Sequence, residues 1–161
     1  MIFLWVMTLT TGLWLGMTLM LDFFVLPTVF RTLTDVFVAG RIGMSIFTKF
    51  NIVELLFSCS LVCAAYFWGK NSDIKKNKFL GAGLFLLALV AFFTFFLTPK
   101  ISMLALQLSH AKNLTASSFV TFQEELATYH KLYVRLDGLK IILQLTILGF
   151  IFMLIRKKET V

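Results

Sequence analysis

Four apolar blocks, at about residues 2–26, 44–68, 79–98 and 134–155, leave this chain few folds to adopt. Each holds about 20 residues or more, the length at which a helix rising about 1.5 Å per residue crosses a hydrocarbon core of about 30 Å. Hydrophobic residues make up 59% of the chain and charged residues 14%, with a mean hydropathy of +0.90. A soluble domain carries nearer one quarter charged residues. The expectation is an all-α membrane protein, a single four-helix transmembrane bundle over residues 1–161.

The flanks of the blocks sharpen this layout. No Lys or Arg precedes the first block, and no small-residue cleavage site follows it, so it reads as a retained helix. Gly12 and Gly16 form a small-xxx-small face suited to close helix packing. Pro27 should stop or kink this helix, leaving residues 28–34 as a short connection. Thr34 is the expected N-cap of the second helix, with Asp35 in its first turn. That helix, over residues 35–68, would reach about 50 Å, so its first turns should lie outside the bilayer. A short basic loop at 69–78 separates the second and third blocks. Pro99 and Lys100 mark the exit of the third. Beyond it, Ile101, Leu104, Ala105 and Leu108 form one apolar stripe, and Phe119, Phe122, Leu126, Tyr129 and Tyr133 form another. Their spacing predicts an antiparallel helical hairpin over 101–131, projecting past the membrane.

The formal net charge of +7 reads as cations flanking membrane spans rather than as a nucleic-acid surface, because no aromatic-basic face lies outside the apolar blocks. The densest short cationic segments are the 70–78 loop and Arg156-Lys157-Lys158. By the positive-inside tendency both face the cytoplasm, as do both termini, and the helical extensions lie on the non-cytoplasmic side. The inner membrane of a bacterium is the expected location.

Two blocks carry polar faces. His130, Tyr133, Asp137, Lys140 and Gln144 recur in steps of three and four, as do Phe47, Asn51, Glu54 and Ser58. With Asp22, Lys49 and Arg135, these groups fall in the non-cytoplasmic half. An isolated charge in a bilayer costs about 2.5 kcal/mol or more, so Asp22, Glu54 and Asp137 should pair with Lys49, Arg135 or Lys140, be hydrated, or be protonated. Asp137 and Lys140 can pair within one helical turn. Such a cluster can fix helix register, line an outward-facing pocket for a small solute or ion, or dock a second membrane subunit or another copy of the chain. A transporter component using Asp22, Glu54, Asp137 and Lys140 is the alternative. A through-channel is not expected, because beyond Ser58 the second helix offers only Ser60, Cys59 and Cys63.

His110 and His130 are weak candidates for a metal or haem, since neither falls within a span. Cys59 and Cys63 pack as small hydrophobes and leave a metal short of ligands. No Ser-His-Asp set, phosphate loop or catalytic carboxylate pair is recognisable, so a protein without enzymatic activity or cofactor is expected, with the lipid bilayer as its first partner.

Three stretches carry a family likeness: Trp14, Gly16, Pro27, Phe30 and Arg31 at the end of the first block, residues 39–51 (AGRIGMSIFTKFN), and residues 98–101 (TPKI). Together they resemble the transmembrane protein 205 family, small four-span proteins with a domain of unknown function. The likeness implies a four-span layout and no activity. Tyr133 and Lys140 stand where that family tends to carry a histidine and an asparagine.

Overall fold

The computed structural model describes residues 2–70, 76–109 and 116–159. The centre of the basic loop, at 71–75, and the loop holding His110 lie outside the described residues. Every element in the described chain is helical: α1 (Ile2–Met20), α2 (Leu26–Thr32), α3 (Val36–Lys70), α4 (Lys76–Phe92), α5 (Thr98–Ser109) and α6 (Ala116–Glu159). Four stretches are long and apolar enough to cross a membrane: Ile2–Thr32, Val38–Gly69, Lys78–Leu108 and Phe119–Arg156. This is a four-helix membrane bundle. One end, here the near end, holds the start of α1 and the end of α6. The far end holds the turn before α3 and the helices that extend past the bundle.

Neither proline stops its helix. A π-helical turn, Leu21–Val25, joins α1 to α2, and a second, Phe93–Leu97, joins α4 to α5. In each, a backbone N–H reaches back five residues, Leu26 to the Leu21 carbonyl and Thr98 to that of Phe93. The next residue is the proline, Pro27 or Pro99. A proline ring clashes with the carbonyl four residues back, and widening the preceding turn moves that carbonyl aside. Residues 28–32 are therefore helical rather than a connection. The chain breaks only after them, and Asp35 caps α3, its side chain accepting from the Val38 N–H at 3.3 Å. Asp35 takes that role in place of Thr34 because its carboxylate reaches the third N–H of the helix.

Among the described residues, no other helix of this chain packs against Gly12 or Gly16. Nothing lies within 4 Å of a Cβ built on either one. The packed face of α1 runs through Leu4, Met7, Thr11, Trp14 and Thr18. Each glycine is two residues from Trp14, about 200° around the helix, hence on the opposite side. The close approach occurs instead at Gly83 of α4, where a Cβ would sit 3.3 Å from the Val62 Cγ2 of α3.

Two cores stack along the bundle. At the near end Leu4, Met7, Leu61, Leu86, Ile147 and Ile151 are buried together. Toward the far end Phe93, Leu97, Ile101 and Tyr133 pack with Phe47, Leu126 and Tyr129. Here α5 lies against α6, tied by Lys100 to Glu125 at 3.0 Å and by the Lys100 ammonium over the Tyr129 ring.

The charges on the surface bracket an apolar band of membrane thickness. Lys49 and Arg135 are exposed and Lys100 is partly so, all at one level of the bundle. From that level to Gly69, Lys78 and Arg156 at the near end, the helix rise gives about 30 Å on each of the three helices, the thickness of a hydrocarbon core. Between the two levels the acidic and basic side chains among the described residues are Glu54, Asp137 and Lys140, all buried, and Asp22, partly buried at the boundary.

Candidate functional site: a carboxylate-rich cluster beneath an apolar cavity

The polar faces of α3 and α6 meet a third on α1. Thr11, Trp14, Thr18 and Asp22 follow steps of three, four and four, and this stripe brings an indole and two hydroxyls to the centre of the bundle. Glu54 is fully buried. Its Oε1 accepts from Trp14 Nε1 at 2.9 Å, from Thr18 Oγ1 at 3.4 Å and from Lys140 Nζ at 2.5 Å. The same ammonium pairs with Asp137 Oδ1, one turn away on α6, and lies 5.6 Å from the centre of the Phe93 ring. Lys140 therefore bridges two carboxylates on two helices, with an aromatic face closing the third side. The Asp137 carboxyl is also within hydrogen-bonding reach of that of Asp22, in the π-helical turn.

Asn51, one turn outward of Glu54, forms a neutral link. Its Nδ2 donates to Thr98 Oγ1 at 2.7 Å, and Tyr133 OH approaches its Oδ1 at 3.5 Å. Tyr133 is held edge-on to Phe47 and stacked on Phe93, with ring centres 5.1 and 4.7 Å away. One turn inward of the ion pair the pattern changes. Gln144 is fully buried with neither amide atom hydrogen-bonded, and Thr11 Oγ1 and Glu54 Oε2 are likewise unpartnered. Buried polar groups are ordinarily bonded to protein or water, so these atoms keep unused hydrogen-bonding capacity. Inward of it lies the apolar near-end core.

Of the residues singled out in the sequence, the structure brings together Asp22, Asn51, Glu54, Asp137, Lys140 and Gln144. Lys49 and Arg135 are outside the cluster, on the bundle surface. Each precedes a cluster residue by five positions, which turns it about 140° around the helix, away from the core. His130 is exposed and lines the cavity described next. Among the described residues no group of three His, Cys, Asp or Glu side chains is placed to hold a metal ion. Trp14 and Thr98 stand out in the sequence only through the family likeness, and Thr18 not at all, because all three sit in strongly apolar runs. The three-and-four spacing of Thr11, Trp14, Thr18 and Asp22 is the signal that marks α1.

A cavity of ≈ 810 Å³ opens above the cluster. Its walls come from the first π-helical turn, α2, the start of α3, α5 and the outer part of α6, including Phe23, Leu26, Phe30, Met44, Phe47 and Leu126. Asp22 and Asp137 are in its lining, at the end nearest the ion pair. Arg41, Gln123 and His130 are the other strongly polar lining residues, and all are exposed. Most of this space lies beyond the level of Lys49, Lys100 and Arg135.

The model of a domain of unknown function, DUF4149, matches residues 9–110. That match takes in α1 to α5, hence Asp22, Glu54 and most of the cavity wall, but not Asp137 or Lys140. No curated protein and no solved structure matches the chain.

Proposed function

The chain belongs to the DUF4149 family, whose domain carries no assigned function, and from that premise we propose a non-enzymatic membrane protein that binds a small molecule in the far-end cavity. The observation that carries this reading is the joining of an apolar cavity of ≈ 810 Å³ to two carboxyls of the buried charge network. Ligand pockets typically measure about 300–1,000 Å³, with mostly apolar walls and a few polar groups that orient the guest. The likeness to the transmembrane protein 205 family agrees with the four-span layout and adds no activity. By the positive-inside tendency the near end faces the cytoplasm, so the cavity opens outward. Transport through the bundle is not part of this reading, since Leu4, Met7, Leu61, Ile147 and Ile151 fill the near half.

Mass spectrometry of the intact protein, released from its own membranes, tests the proposal. A non-covalently bound small molecule should accompany the full chain and be lost from Met44→Trp, which fills the cavity. Equal occupancy of both forms, or an empty protein in both, would reject it. Reporter fusions at Val161 and Asn113 should place the first in the cytoplasm and the second outside.

A further inference from the structure

The charges in the cluster do not balance. Among the described residues, two carboxyls, Glu54 and Asp137, pair with one ammonium, that of Lys140, and a third, Asp22, lies against Asp137. With all four ionised the group carries an excess of two negative charges, and a proton shared between Asp22 and Asp137 still leaves one. The other basic side chains nearby are committed elsewhere or are too far away. Lys49 and Arg135 point outward, Lys100 is taken by Glu125, and Arg41 lies about 15 Å further along α3 than the level of the carboxyls. Glu54 Oε2, with its residue fully buried, has no hydrogen-bond partner among the described residues. An uncompensated charge in a low-dielectric site demands a proton or a cation. Only Asp22 and Asp137, of the three acids, line the cavity.

We propose that the cavity takes an amphiphilic organic cation, its positive group seated against the Asp22 and Asp137 carboxyls and its apolar body along Leu26, Phe30, Met44 and Phe47. This deepens the ligand-binding reading above and rests on it. The charge of the guest answers the excess of carboxyls. Its body answers the walls, which a small hydrated metal ion would leave unfilled. The rings of Phe23 and Phe47 add surfaces on which an organic cation is favoured. A guest with a negative head would meet the two carboxyls directly.

Three probes of similar shape separate the possibilities: tetraphenylphosphonium (cationic), triphenylphosphine oxide (neutral) and tetraphenylborate (anionic). Binding to the full-length protein in lipid nanodiscs would be read by equilibrium dialysis against protein-free nanodiscs. The expected result is saturable binding of the cation, at least tenfold tighter than that of the neutral probe, with no binding of the anion. Asp22→Asn should weaken the cation tenfold or more and leave the neutral probe unchanged. Met44→Trp should abolish both. Equal binding of the cation and the neutral probe, untouched by Asp22→Asn, would overturn the proposal and leave the ligand-binding reading standing. Binding of none of the three would count against both. Should Asp22→Asn fail to yield a monodisperse protein, the preference of the unmodified chain among the three probes decides the matter.

Discussion

Lys140 on α6 and Glu54 on α3, 86 residues apart in the chain, meet as a fully buried ion pair at the level where the polar faces of three helices converge. The pair holds α3 and α6 in one rotation and one register, because either helix can slide or turn only by separating the charges in a medium that cannot solvate them.

Lys140→Met should therefore be costly. It leaves two carboxyls without their ammonium, and breaking a buried pair from one side costs about 3–5 kcal/mol. Adding Glu54→Gln to Lys140→Met should recover part of the loss, with a coupling of about 0.5–3 kcal/mol between the two sites. Thermal unfolding of the detergent-solubilised single and double variants measures this. Simple additivity of the two changes would show that the pair does not couple the helices.

Trp14→Phe removes the indole donor to Glu54 and also leaves a small void, since Trp14 is fully buried. A hydrogen bond to a charged group contributes about 1.5–3 kcal/mol, and the loss should be of that order. In a Glu54→Gln background the same substitution should cost clearly less, since the acceptor is then neutral. An equal cost in both backgrounds would assign Trp14 to packing alone.

The glycines divide by surroundings rather than by motif. Gly83→Leu should drive a side chain into Val62 and destabilise the bundle by about 1–3 kcal/mol, the usual range for overpacking. Gly12→Leu and Gly16→Leu enter open space and should leave the unfolding midpoint of the monomer unchanged. A midpoint for Gly83→Leu equal to that of the parent would place the α3–α4 contact elsewhere.

Thiol labelling tests the depth of the bilayer. Cys59 and Cys63 are exposed on the bundle surface but lie within the apolar slab, with Cys59 about 15 Å from the level of Lys49. Neither should react with a membrane-impermeant maleimide in intact membranes. In a Cys59→Ser, Cys63→Ser background, Lys49→Cys and Arg135→Cys should react from the far side. Labelling of the native cysteines would move the slab.

The four apolar blocks determined the membrane class and the helical fold, because a segment in lipid satisfies its backbone groups only within itself or in a closed barrel. The faces of α3 and α6 were equally legible, since Asn51, Glu54 and Ser58, and Asp137, Lys140 and Gln144, keep helical spacing on their own segments. Tertiary structure decided which charges pair. Lys49 and Lys140 are both lysines in the outer half of the bundle, with Lys140 about 7.5 Å deeper, yet only Lys140 lies on the stripe that turns inward. It also decided that two prolines would sit behind π-helical turns and so let the helices continue. Trp14 and Thr18 became part of the site through a neighbouring helix rather than through their own sequence context. Periodicity reports the faces of one helix, whereas the partners, the excess of carboxyls and the cavity above them arise from how the helices meet.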